Sequence, residues 1–324
     1  MPRTPLLQIS SRAWEHPADR AALNTLRSIP GFDEVVRKVA SFFGERGIRQ
    51  LFLANAVRVS EHQRPKLNAL WTEVLETLDW PSRPQLYVTQ TPFVNAGAVG
   101  FDDPFVVVNS ATLSMLDEDE QRFILAHELG HIMSGHTTYR TIAIIILTVG
   151  INNLPFLAGI ALLPFQLALL EWYRKSELSS DRAGLLGTQD LDVAMRGFMK
   201  LAGGNAPADD EASLEEFMRQ AEEYETGGNA WDTVFKVLNT AFRDHPFNTV
   251  RASELLAWHK SGAYDTIVGG SYQRRNDKDR PLSDDFADAA GYYGDQTRST
   301  FRQVGDVFSR ARDAFNDAWR GAPK

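Results

Sequence analysis

The chain has 324 residues, 43% hydrophobic and 23% charged, with a formal net charge of -8 and a pI near 5.4. That length can bury a sizeable core, in one elaborated domain with appendages, while the acidic balance and the lack of any basic run exclude nucleic acid as the main partner. With no cysteine there is no disulfide and no thiolate metal site, so any bound metal must rely on His and carboxylate ligands.

Met1 to Gln50 has no charged start followed by an apolar stretch, so no signal peptide is expected and the chain reads as facing the cytoplasm. Residues 17 to 80 read as α-helices broken at Ser28-Ile29-Pro30-Gly31 and at Trp80-Pro81, with Asp33 to Phe43 and Arg64 to Leu78 the clearest. Two short strands follow, Gln85 to Thr89 and Phe105 to Asn109.

Asp117 and Glu120 have the spacing of a capping box, and Phe123, Ala126, Leu129, Ile132 and Met133 recur at three- and four-residue intervals, which predicts a helix. On it lies His127-Glu128-Leu129-Gly130-His131. Residues four apart share a helix face, so both imidazoles can reach one tetrahedral ion while Glu128 lies beside the ion's open position, the pattern of a zinc hydrolase.

From Thr141 to Leu170 no residue is charged, in two arms split by Asn152-Asn153-Leu154-Pro155. One membrane crossing needs about 20 apolar residues and two need about 40 plus a turn. Glu177-Leu178-Ser179-Ser180-Asp181 follows, on a helix reading from Trp172 to Gly184. One of its two carboxylates can bind zinc while the other accepts the free N–H of a zinc-bound imidazole. A single crossing would place the imidazoles and these carboxylates on opposite sides, although all ligands must lie within about 2 Å of one ion. The uncharged run is therefore a helical hairpin that dips into one leaflet, packs on another subunit or is buried in the fold. The expectation is the membrane surface or a homo-oligomer, with Ile145 and Leu162 at the contact, because Trp172, Tyr173, Arg174 and Lys175 flank it with interfacial residue types.

Further on, Asp209 to Glu225 reads as a solvated acidic helix and Trp231 to Phe242 as another helix. Ser261 to Gly294 is poor in aliphatics and reads as linker or disordered tail. Phe301, Val304, Phe308, Ala311, Phe315 and Ala318 make the stripe of an amphipathic helix. The domain reading is 1–84 N-terminal helical region, 85–262 core and 263–324 linker and tail; the fold class is α+β, mostly helical, with a small sheet.

The chain resembles the gluzincin metallopeptidases that include the CAAX prenyl proteases and the HtpX-type membrane proteases. The resemblance rests on His127 to His131, on Glu177 to Gly184, on Asp244-His245-Pro246-Phe247 with Arg251 beyond, and on Val94-Asn95-Ala96-Gly97 with Phe105 to Ser110. It implies that His127, His131 and Glu177 bind one zinc ion, that Glu128 is the general base, and that Asp181 supports a ligand imidazole. It further implies that His245 helps stabilise the oxyanion, and that Asn95 and Ala96 lie on an edge strand that takes an extended substrate as a further strand. Arg251 reads equally as a partner of Asp181 and as a surface residue. Gly97 and Asp244 depart from the family pattern, which usually has a bulkier residue and Ser or Thr there. The functional expectation is a zinc-dependent endopeptidase using a zinc-activated water on membrane-associated or misfolded proteins. The alternative is a zinc-stabilised scaffold with little turnover, against which Glu128 stands, since a scaffold has no use for a base beside its ligands.

Overall fold

The computed structural model describes residues 3–149, 163–203, 213–226 and 247–277. Its elements are α1 (Pro17–Arg27), α2 (Phe32–Leu53), β1 (Ala56–Arg58), α3 (Pro65–Thr77), β2 (Leu86–Thr89), β3 (Ala96–Val99), β4 (Phe105–Asn109), α4 (Ser110–Met115) and α5 (Glu118–Met133). After them come α6 (Thr137–Val149), α7 (Leu163–Thr188), α8 (Leu191–Gly203), α9 (Leu214–Thr226), α10 (Asn248–Lys260) and α11 (Ala263–Val268). The protein is thus mostly helical with one small mixed sheet, an α+β architecture.

The four strands are ordered β1-β2-β4-β3, with β2 and β4 parallel and the two outer pairings antiparallel. Both faces of the central strands are covered, which is why β4 reads as an unbroken apolar run. Leu86, Val88, Val106 and Val108 face a core with Trp71, Phe123 and Leu129; Tyr87, Phe105 and Val107 face a second core with Phe32, Val35 and Val39. β3 is an edge strand.

α5 begins where the sequence places it. The Asp117 side chain accepts the backbone N–H of Asp119 and Glu120 at 3.0 and 2.9 Å, and Glu120 reaches back to the N–H of Asp117 at 2.9 Å. α5 and α7 then approach closely through small residues. A Cβ on Gly130 would stand 2.5 Å from Cβ of Ala183 and 3.3 Å from Cα of Ser180, and one on Gly187 would overlap Ala126. This approach brings the first carboxylate of the Glu177–Asp181 pair to the two imidazoles.

The helix expected from Asp33 to Phe43 ends at a kink at Gly44 (φ 60°, ψ 168°), a conformation glycine adopts without steric cost, and a second helical stretch carries α2 on to Leu53. Two expectations change. The segment expected to be linker is packed, up to Asp277, on the N-terminus: Ile267 is buried, Ser10 donates to the Gln273 carbonyl at 3.0 Å, and Arg275 donates to that of Gln8 at 2.8 Å. Within the uncharged hairpin, Ile142, Ala143, Ile145 and Ile146 of α6 and Leu169 of α7 are buried in the second cluster. Thr141 ties α6 to the sheet by accepting the Gly100 N–H at 2.9 Å. Ile145, expected at a membrane or subunit contact, is packed in this core instead. No helix among the described residues is long and apolar enough to cross a membrane. Leu162, the acidic residues 209–212, the helix expected at 231–242, His245 and the stripe at 301–318 lie outside the described residues.

Candidate metal centre

His127 and His131, one turn apart on α5, direct Nε2 atoms at each other across 3.1 Å. Glu177 of α7 completes a triangle, with Oε2 at 3.4 Å from His127 Nε2 and Oε1 at 3.3 Å from His131 Nε2. All three residues are buried, and each offers an atom within 4.8 Å of the others. Zinc holds N and O ligands at about 2.0–2.2 Å in tetrahedral array, which separates them by about 3.4 Å. The donor set and its spacing fit that ion.

Each corner is held from behind. Asp181, one turn after Glu177, has Oδ1 at 2.9 Å from His127 Nδ1. Arg251 of α10 grips Asp181 through both oxygens, Nε to Oδ2 at 2.9 Å and Nη2 to Oδ1 at 2.5 Å, and its Nη2 also lies 3.6 Å from Glu177. Of the two readings of Arg251, the buried partner of Asp181 is the one observed. Arg140 of α6 donates to Glu177 Oε1 and stacks its guanidinium 4.2 Å from the Tyr173 ring centroid. Beneath His131, His136 Nδ1 stands 3.1 Å from His131 Nδ1.

Electrostatics agree with a cation in the triangle. Burial works against charge on His127, yet hydrogen bonds to Asp181 and Glu177 outweigh it and raise the imidazole to about 9. Burial, aided by the positive charge of Arg140, pushes His131 well below its ordinary value. Burial would raise Asp181, but Arg251 and His127 more than reverse this and keep it ionised. The carboxylates thus favour positive charge at the triangle, a demand that a divalent ion meets.

Glu128, next to His127 on α5, is tied to the sheet: its Oε2 accepts the Ala98 N–H of β3 at 2.7 Å. The Asn95 carbonyl bonds to the Asn109 N–H on the β4 side. Since backbone direction alternates along a strand, Asn95 and Gly97 face β4 while Ala96 and Ala98 face away from it, the Ala98 N–H being taken by Glu128. Asn95 Oδ1 accepts the Ala96 N–H at 2.9 Å. Of the residues singled out by sequence, the structure brings together His127, Glu128, His131, Glu177, Asp181, Arg251 and the β3 edge. His245 lies outside the described residues. Sequence reasoning missed Arg140, His136 and Asp19. The only available cues were a third histidine five residues after His131 and a lone arginine just before the uncharged run.

The profile of Peptidase family M48 matches residues 61–259, and the chain belongs to that family. It is 32% identical over 260 residues to the plastoglobule-localized metallopeptidase 48, chloroplastic, of Arabidopsis thaliana, a match covering 79% of this chain and 74% of that protein. Shorter matches reach HtpX protease homologues. One from Helicobacter pylori is 33% identical over 82 residues, 25% of this chain and 26% of that protein. One from Moorella thermoacetica is 29% identical over 120 residues, 36% and 39% of the two chains. No solved structure gives a significant match. The protein is accordingly a metallopeptidase, in a family whose members use zinc.

Proposed function

We propose that the chain is a zinc-dependent endopeptidase of gluzincin type, with His127, His131 and Glu177 as ligands and Glu128 as general base. The observation that carries this reading is the triangle of 3.1, 3.3 and 3.4 Å between His127, His131 and Glu177. When bound, zinc supplies Lewis acidity that polarises a carbonyl and lowers the pKa of water. The protein's own residues supply the rest.

Extended substrate lies against the β3 edge at Asn95 and Ala96 as a further strand, exchanging main-chain hydrogen bonds with Ala96. Glu128 takes a proton from the attacking water and passes it to the amide nitrogen as the C–N bond breaks. Asp181 and Arg251 hold His127, and Arg140 orients Glu177. His245 is proposed as the donor to the oxyanion that develops on the scissile carbonyl. The substrates are membrane-associated or misfolded proteins presenting extended apolar segments. Supporting this, Phe93 is 74% exposed and Val94 38%, directly before Asn95 at the entrance to the edge strand. A relative is also named for plastoglobules. Against the scaffold reading stands the anchoring of Glu128 to β3, because a base held beside the ligands serves turnover.

The test is incubation of the zinc-loaded full-length protein with an unfolded reporter protein and with the same reporter folded, followed by mass spectrometry of the fragments. Internal cleavage of the unfolded form, abolished by a chelator, is expected. Release of terminal residues alone would contradict the endopeptidase reading.

A further inference from the structure

Behind His131 runs a buried chain of hydrogen bonds that ends on the N-terminal helix. Gly135, at φ 68°, turns the chain after α5, and the His136 N–H bonds to the His131 carbonyl at 2.9 Å. This places the His136 ring under that of His131, centroids 5.4 Å apart, and edge-on to Trp172. The far nitrogen of His136, Nε2, is 3.0 Å from Oδ2 of Asp19. Asp19 also accepts Trp172 Nε1–H at 3.0 Å and Ser179 Oγ–H at 2.5 Å, while Ser179 Oγ itself accepts the His16 backbone N–H at 2.9 Å. All of these side chains are buried.

We propose that Asp19 and His136 are positioning residues which fix the proton of His131 on Nδ1 and so present its Nε2 lone pair to the metal. The inference rests on His131 being a ligand. The proton count allows one arrangement for a neutral His136. The Asp19 carboxylate only accepts, so His136 Nε2 must carry a hydrogen. A neutral His136 then has a lone pair on Nδ1, and at 3.1 Å its neighbour, Nδ1 of His131, must be the donor. Nε2 of His131 is left unprotonated and aimed at the triangle. Asp181 does the same for His127 in one step; His131 needs two, because an imidazole, His136, rather than a carboxylate stands against its Nδ1. A helix near the start of the chain thereby controls the ligand state of a residue on α5.

The relay is tested with the full-length protein, by zinc competition against a chromophoric chelator and by nitrogen-15 NMR of the histidine rings. His136→Phe keeps a ring against Trp172 but removes the acceptor, and zinc affinity should fall about 10- to 100-fold, the usual effect of losing a partner behind a ligand. His136→Asn returns an acceptor at the Nδ1 position while losing the ring, so it should bind zinc more tightly than the Phe variant even where its metal-free form melts lower. A purely packing role gives the reverse order. In the zinc-loaded parent, NMR should place the His136 proton on Nε2 and the His131 proton on Nδ1, a readout that stands even where a variant does not fold. If the parent binds zinc and His131→Ala does not, but the Phe variant matches the parent or His136 carries its proton on Nδ1, the relay alone is wrong. A parent that binds no zinc overturns both the relay and the metal centre.

Discussion

The backbone N–H of Ala98 donates to Oε2 of Glu128 across 2.7 Å, joining the edge strand of the sheet to the acid between the two histidines. Substrate docking and proton transfer are thus referenced to one backbone segment. Any shift of β3 moves the proposed substrate register and the proposed base together.

Glu128→Gln keeps an oxygen to accept the Ala98 N–H and leaves the triangle intact, so fold and zinc content should match the parent. Peptide cleavage should fall by about a hundredfold or more, the contribution of a positioned proton acceptor. Turnover of a quenched unfolded substrate measures it, and unchanged turnover with zinc bound would remove Glu128 from the mechanism.

The α5–α7 approach depends on Gly130. Gly130→Ala places a methyl 2.5 Å from Ala183 Cβ. Separating the helices should lower stability by about 1–3 kcal/mol and weaken zinc binding, since Glu177 rides on α7. Ala183→Gly in the same chain should restore part of both losses. Denaturant unfolding of the two single variants and the double variant checks the coupling, and strict additivity would contradict the contact.

Acid sensitivity should arise in part from His16, which burial, then Arg182, pushes from 6.5 down to about 4. A folded-state value below the unfolded one means the unfolded chain binds this proton first. Stability is therefore full above pH 6.5 and declines as pH falls toward 4, by about 3 kcal/mol from this group. His16 also caps α1, its Nδ1 accepting the Ala18 N–H at 3.1 Å. Asn keeps a cap and cannot take the proton, so metal-free His16→Asn should unfold with a shallower acid dependence than the parent. Superimposable pH profiles would refute the assignment.

Ile145 is 4% exposed, packed in the second core rather than at an outer surface. Ile145→Ala should cost about 2–5 kcal/mol, and Ile145→Lys should prevent folding. A folded Lys variant, with only its vesicle partitioning or oligomeric state altered, would return this arm to the surface.

Much of the centre was legible because its cues are local. The Asp117–Glu120 box and the three- and four-residue periodicity mark α5, and spacing within one helix sets the faces of His127 and His131 and of Glu177 and Asp181. What was not legible depends on long-range packing. Asp19 lies more than a hundred residues from His136 in sequence, and nothing in Pro17–Arg27 marks a buried carboxylate. The uncharged hairpin carried no directional information, because a run with no polar face suits a lipid leaflet and a protein core alike; the structure places Ile142, Ile145, Ile146 and Leu169 in one cluster with Phe32, Val35 and Val39. Arg251 was ambiguous for a similar reason, since one arginine on a helix acquires meaning only when α10 packs on α7.

The central claim is one zinc ion held by His127, His131 and Glu177. Anomalous X-ray scattering from crystals of the zinc-loaded protein, recorded on both sides of the zinc edge, tests it most directly. The account predicts a single peak per chain about 2.0–2.2 Å from Nε2 of His127, Nε2 of His131 and a Glu177 oxygen. A peak on other residues, or none at this triangle in protein shown to contain zinc, would contradict it.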